Sequence, residues 1–265
     1  MDNGRGKLIR KQFDDLTRIH SGLELSEDFP NRWAIRGNLS FDVTYAGKNI
    51  NDTFSILISI PKDYPQSPPA IQETGGRIPR AIDYHILPDA GNFCLSTPLR
   101  VRLKFQKNPT LLYFVNGLVI PFLFSFSYKK LYGNMPYGEF SHGRLGIFES
   151  YQELFGITEP HAVLGLLKIL AEDCYRGHLP CPCGNGERIR HCHGRLIREI
   201  CIYQSQDEFL LDYLQCITYL NKSGVNLDKS VLLSKKVMKH WKRLTQGFDK
   251  NKKRGTESVK NENIE

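Results

Sequence analysis

Two groups of residues have the types and spacing that chemistry requires. The first is the run CPCGNGERIRHCHG at 181–194, where Cys181 and Cys183 flank one proline and Cys192 and His193 follow after eight more residues. Zinc takes four nitrogen or sulfur ligands in a tetrahedron, and thiolates with imidazole are its usual structural set. Gly184 and Gly186 let the chain bend back between the two halves. So short a segment has little core of its own, so bound metal would supply its folding energy. The expectation is one structural Zn2+ held by Cys181, Cys183, Cys192 and His193, with His191 as an alternative donor. Four filled positions predict a closed site, not a catalytic one.

The second is HILPDAGNFCLSTP at 85–98, where Cys94 follows a turn built from Pro, Asp and Gly. A thiolate is intrinsically nucleophilic, and a loop position leaves the sulfur reachable. Against this, cysteine is among the most often buried residues, so a small core side chain is the competing reading. Asp89 places negative charge near the thiol, which would raise its pKa but could help to deprotonate an attacking amine.

These residues need elements to hold them. Apolar residues at Leu8, Ile9, Phe13, Leu16 and Ile19 predict an amphipathic helix over 7–19. Residues 32–47 alternate in part and 52–61 alternate cleanly at Phe54, Ile56, Ile58 and Ile60, which predicts an antiparallel pair joined at GKN. The proline-rich KDYPQSPPAI ends the second strand, and Ala70 to Glu73 could start a third. Pro98 and Pro109 read as breaks, with helix returning near Leu111. The almost uncharged stretch Leu111 to Tyr128 approaches membrane-spanning length, but Asn116, Gly117 and Pro121 favour a buried helix bent or interrupted at Pro121. A Gly-rich loop at 133–146 precedes a helix at 147–156. A second helix runs from Glu159 to Gly177, with Pro160 in its first turn. Residues 195–224 read as mostly helical, and 249–265 as a disordered tail. The predicted boundary falls near 156–160.

The formal net charge is +8, yet residues 229–254 alone hold ten Lys or Arg against one acid. The basic character therefore belongs to one segment, read as a solvated helix and frayed end, with nucleic-acid binding as the lesser expectation. Seven cysteines, an odd number, and an N-terminus without an apolar h-region argue against a disulfide framework. The expectation is a cytoplasmic protein, not a membrane one.

The run PCPCGNGERIRHCHG resembles the SEC-C zinc motif, a small metal module first recognised at the C-terminus of the preprotein translocase motor. The resemblance implies a protein-docking element. Further upstream, Tyr64, Pro65, Pro68 and Pro69 resemble the Tyr-Pro-x-x-Pro-Pro turn of the ubiquitin-conjugating fold. A histidine segment and a Gly turn leading to Cys94–Leu95 extend the likeness over roughly residues 5–155. It is similar to the divergent bacterial branch, a feature shared by SHGRLGI at 141–147.

That resemblance implies an α+β fold. An antiparallel meander flanked by helices would span 5–155, and a helical region at 159–248 would carry the zinc motif at 180–194. It implies that Cys94 receives a ubiquitin-like modifier as a thioester from an activating enzyme and passes it to a lysine of a protein substrate. Antiviral defence is a setting by analogy alone. The family's His-Pro-Asn is not kept: Ile86 and Leu87 follow His85. The oxyanion would then need a backbone N–H, Asn92 or His85 as donor. His85 is equally a packing histidine, and His142 is a weaker candidate to approach Cys94. The missing Asn also supports an alternative, a non-catalytic adaptor of the same fold that binds a ubiquitin-like protein.

Overall fold

A computed structural model describes residues 4–29, 32–87, 90–136, 141 and 143–242. The chain divides into two compact units, Met1–His142 and Gly143–Glu265.

The first unit begins with helix α1 (Gly4–Thr17), followed by strands β1 (Leu23–Phe29), β2 (Arg32–Tyr45), β3 (Lys48–Ile60) and β4 (Ala70–Glu73). They form one antiparallel sheet in the order β1-β2-β3-β4. The architecture is thus α+β. Alternation sets the faces: Trp33, Ile35, Leu39 and Phe41 of β2 and Phe54, Ile56, Ile58 and Ile60 of β3 are buried together. Gly37 occupies the place between Ile35 and Leu39 because no side chain fits there. Its φ is +133°, and a Cβ would lie 2.1 Å from the Gly22 carbonyl oxygen. Gly37→Ala should therefore lower stability by roughly 2–4 kcal/mol. An unchanged urea-unfolding midpoint would refute this.

Helices α2 (Pro98–Gln106), α3 (Leu111–Phe114) and α4 (Ile120–Tyr132) follow, the last two joined by a π-helical turn at Val115–Val119. Helix α2 corrects the reading of Pro98 as a break: the proline sits in the first turn, where its missing N–H costs nothing. The segment Leu111–Tyr132 is long and apolar enough to cross a membrane, the one such helix among the described residues. Here Leu111, Phe114, Val115, Leu118, Val119, Leu123 and Phe124 pack into the core against the sheet. Pro121 does not interrupt the helix. The wider π turn just before it gives room for the ring, and Asn116 on that turn bonds the His20 ring at 2.8 Å.

The proline-rich turn is tied down from two sides. The Gln12 side-chain oxygen of α1 accepts from the Tyr64 hydroxyl and from the Leu111 N–H. Gln106 of α2 donates to the carbonyls of Pro65 and Gln66 at 3.0 and 2.7 Å. The Tyr64–Pro65 peptide is cis.

The second unit comprises α5 (Gly143–Phe155), α6 (Pro160–Ala171), α7 (Gly194–Ile200), α8 (Gln206–Lys222) and a helix at 235–242. The division thus falls before α5, not near 156–160. The reason is packing: α5 lies against α8, with Phe148 beside Tyr219 and the Tyr151 hydroxyl donating to Asp212 at 2.8 Å. Helix α6 ends at Ala171, short of the expected Gly177. The stretch 195–224 breaks between α7 and α8, where Ser205 and Glu208 form a reciprocal cap. The expected disordered tail lies outside the described residues.

Candidate functional site

Residues 85–87 and 92–94 pair as the two arms of a short hairpin. Leu87 N–H donates to the Asn92 carbonyl at 2.9 Å, Gly91 N–H to Leu87 at 2.7 Å, and Cys94 N–H to His85 at 2.7 Å. The hairpin is docked on β4. Phe93 N–H donates to the Ile71 carbonyl at 2.8 Å, and the Gln72 amide donates to Asn92 Oδ1 and the Ala90 carbonyl at 3.0 and 2.9 Å. Phe93 stacks on Phe122 of α4 with centroids 4.5 Å apart. Gly91 turns the loop at φ +71°, a left-handed conformation that suits glycine.

Cys94 is therefore fixed at its backbone and half-buried at its side chain. Its thiol points to the Ser96 carbonyl at 3.8 Å, a weak contact. Burial pushes its pKa above the ordinary cysteine value. His85 faces Cys94 across the hairpin through its backbone, while its ring meets the Phe122 ring edge-on at 6.4 Å. It adopts a left-handed conformation, φ 56°, uncommon outside glycine. Asn92 is held to the sheet by its side-chain oxygen. Two further candidates, Asp89 and His142, lie outside the described residues.

In the second unit, the ligand atoms of Cys181, Cys183, Cys192 and His193 all lie within 4.8 Å of one another and could hold a metal ion. A small hairpin carries the first two: Cys181 N–H donates to the Glu187 carbonyl at 2.8 Å, and Pro180 bridges Arg188. Gly184 and Gly186 adopt φ +76° and +83°, the left-handed bends that the chain reversal needs. The other two donors precede α7. Cys183 and Cys192 sulfurs are 3.5 Å apart, and His193 Nδ1 lies 3.3 Å from Cys181 and 3.0 Å from Cys192 sulfur. His191 stands outside this group, exposed, its ring accepting from Arg190 at 2.9 Å.

The surroundings orient the donors. The Phe155 carbonyl, 3.0 Å from His193 Nε2, can only accept, so Nε2 carries the proton and Nδ1 offers its lone pair to the sulfurs. Asn185 donates to Cys192 sulfur at 3.1 Å. Burial works to raise the Cys183 thiol, but the Asn185 backbone and the neighbouring sulfurs outweigh it and hold it below the ordinary value. Cys192 is pushed up to about 12, by burial first and by the Cys183 and Cys181 sulfurs next. Three sulfurs this close resist losing all their protons without a cation among them.

Sequence reasoning found all four donors but not their supports. Gly165 on α6 leaves room for Pro182, which a Cβ would approach to 2.6 Å, and a Cβ on Gly194 would meet the Tyr175 hydroxyl at 2.5 Å. Only the glycine inside the motif was visible as a signal. Comparison of the chain with known protein families, curated proteins and solved structures finds no match.

Proposed function

We propose that the chain is a ubiquitin-conjugating-like acyl carrier, in which Cys94 accepts a ubiquitin-like modifier as a thioester and passes it to a lysine amine. The observation that carries this reading is the anchoring of Cys94. Its hairpin is bonded to the edge of a four-stranded meander and clamped by Phe93 on Phe122, while its thiol stays half-exposed. A thiol meant only for packing needs no such docked loop.

In the forward step Cys94 sulfur attacks the carbonyl carbon of a thioester on the activating enzyme. That enzyme's thiol leaves with the electron pair, and the Cys94 proton goes to it or to solvent. In the second step a neutral lysine amine attacks, an amide forms, and Cys94 regains its thiol after the amine loses its surplus proton. With no Asn after His85, Asn92 is the proposed oxyanion donor: its side-chain oxygen accepts from Gln72, and its amide N–H groups are the donors it would offer. Asn92→Ala should slow transfer to lysine at least about 10-fold while Cys94 still loads. Equal transfer rates in single-turnover chase would exclude Asn92 from that role.

The Cys181, Cys183, Cys192 and His193 centre fits zinc. A zinc–sulfur distance of about 2.3 Å sets a tetrahedral edge of about 3.8 Å, and a few tenths of an ångström open the Cys183–Cys192 spacing of 3.5 Å to it. Four protein donors leave no position for substrate, so the ion would be structural, and the module would recruit a partner or substrate.

A second reading, a non-catalytic adaptor, draws support from the raised Cys94 pKa and the His85 ring packed on Phe122. One experiment separates them. The protein is incubated with ATP and matched pairs of activating enzyme and ubiquitin-like modifier. The enzyme reading expects an adduct that thiol reductant removes and Cys94→Ala lacks. Modifier binding with no adduct from any pair would leave only the adaptor.

A further inference from the structure

The segment 229–254 holds ten Lys or Arg and one acid, more surplus positive charge than the whole chain's +8. Its residues up to 242 lie among those described, and their geometry separates two faces. Helix 235–242 turns Val237 inward, 5% exposed, while Lys235, Lys236, Lys239 and Lys242 are exposed. Their spacing puts Lys235, Lys239 and Lys242 along one side, with Lys236 beside them. Among the described residues, Lys235, Lys236 and Lys239 make no ion pair.

The helix is not a loose end. Three side chains on one face of α6 hold the chain that leads into it: His161 contacts the Asn226 carbonyl at 3.2 Å, Lys168 donates to Leu232 at 2.6 Å, and Glu172 accepts from Ser234 N–H at 2.6 Å. The buried Tyr213 hydroxyl donates to the Val231 carbonyl, and His240 meets Asp207 at 2.7 Å. Glu172 and Asp207 thus serve as anchors for this segment and leave Lys235, Lys236 and Lys239 to solvent.

We infer that the lysine face of helix 235–242 is a docking surface for the phosphate backbone of nucleic acid. Closely spaced exposed cations gain most from a regular polyanion, whose condensed counterions they displace. A bilayer surface fits less well, because Val237 is buried against the protein and Met238 and Trp241 are half-buried, which leaves little apolar surface to insert. An acidic protein fits less well, because lysine is depleted at protein interfaces and lacks the planar fork that pairs with carboxylates. Contacts made by lysines to phosphate predict binding without sequence preference.

The test is fluorescence anisotropy of the full chain with labelled oligonucleotides of mixed sequence, single-stranded and duplex. Affinity should fall roughly 100-fold for the duplex between about 50 and 200 mM salt, as for about four phosphate contacts. The variant K235E/K236E/K239E should bind at least about 10-fold more weakly at low salt, with a flatter salt dependence. The neutral variant K235Q/K236Q/K239Q should fall between, and unchanged circular dichroism shows that both remain folded. Wild-type affinity and salt slope in both variants would overturn the proposal, as would failure of the wild type to bind either probe. Tighter binding to phosphatidylserine vesicles or to polyglutamate than to the oligonucleotides would also overturn it.

Discussion

Cys181→Ser should purify with its metal content lost and with residues 177–200 no longer protected from hydrogen exchange. This segment has few means of folding unaided. Its buried apolar side chains are Ile189, Ile197 and Ile200, and its backbone spans two left-handed glycines, a 3-10 turn at Ile189–His191 and the short helix α7. A structural zinc in such a setting contributes on the order of 10 kcal/mol or more to folding, far above what three isoleucines offer. Cys181 is the most buried of the four donors, so a serine there leaves a polar group with neither metal nor water. The loss should spread to α5, because the His193 ring that would bind the metal through Nδ1 donates to the Phe155 carbonyl from Nε2. His193→Ala should act alike. His191→Ala should keep full metal content, since His191 is exposed and outside the donor group. Elemental analysis and hydrogen exchange on the three variants check this, and a metal-free Cys181→Ser with native protection over 177–200 would sink it.

The difference between His191 and His193 marks where sequence stops being sufficient. Spacing allowed either histidine; only the position at the start of α7, opposite the Phe155 carbonyl, selects the second. Long amphipathic elements were legible because burial writes a period into them. Strand β3 and helix α6 show it plainly, down to Pro160 in the first turn, whereas the Glu159 cap that accepts from the Ala162 N–H at 2.6 Å is seen only in the structure. Strand β1 carries too weak a pattern to be legible, since only Leu23 and Leu25 alternate among polar and charged residues and its pairing with β2 carries the rest. Helix α2 was hidden because proline has two opposite meanings, decided by whether the chain starts or continues a helix there. At the Cys94 loop, the turn and the thiol were legible, but the bond from Gln72 to Asn92 and the stacking of Phe93 on Phe122 join residues 20 or more apart. Contacts of that kind leave no local pattern.

The second large effect concerns Cys94 itself, and it turns on the chemistry of the leaving group. Cys94→Ala should form no adduct, a loss of at least about 1,000-fold in loading rate, because no other group on the hairpin is a nucleophile of comparable strength. Cys94→Ser is the sharper variant. An oxygen in the same place would form an ester, which thiol reductant does not cleave and alkali does, so a change from reductant-sensitive to reductant-resistant adduct identifies the bonded atom. The thiol's environment gives a sign to the pH dependence. Burial disfavours the thiolate, so its pKa lies above that of an ordinary cysteine and little thiolate is present at neutral pH. Alkylation of Cys94 by iodoacetamide at pH 7 should therefore be slower than that of a cysteine peptide, and should keep rising with pH after the peptide has levelled off. The same shift would make the bound sulfur a poorer leaving group, so under the proposed function a thioester there would resist stray attack until an amine is positioned beside it. A protein that alkylates faster than the peptide, or whose Cys94→Ser adduct still yields to reductant, would contradict both halves of this account.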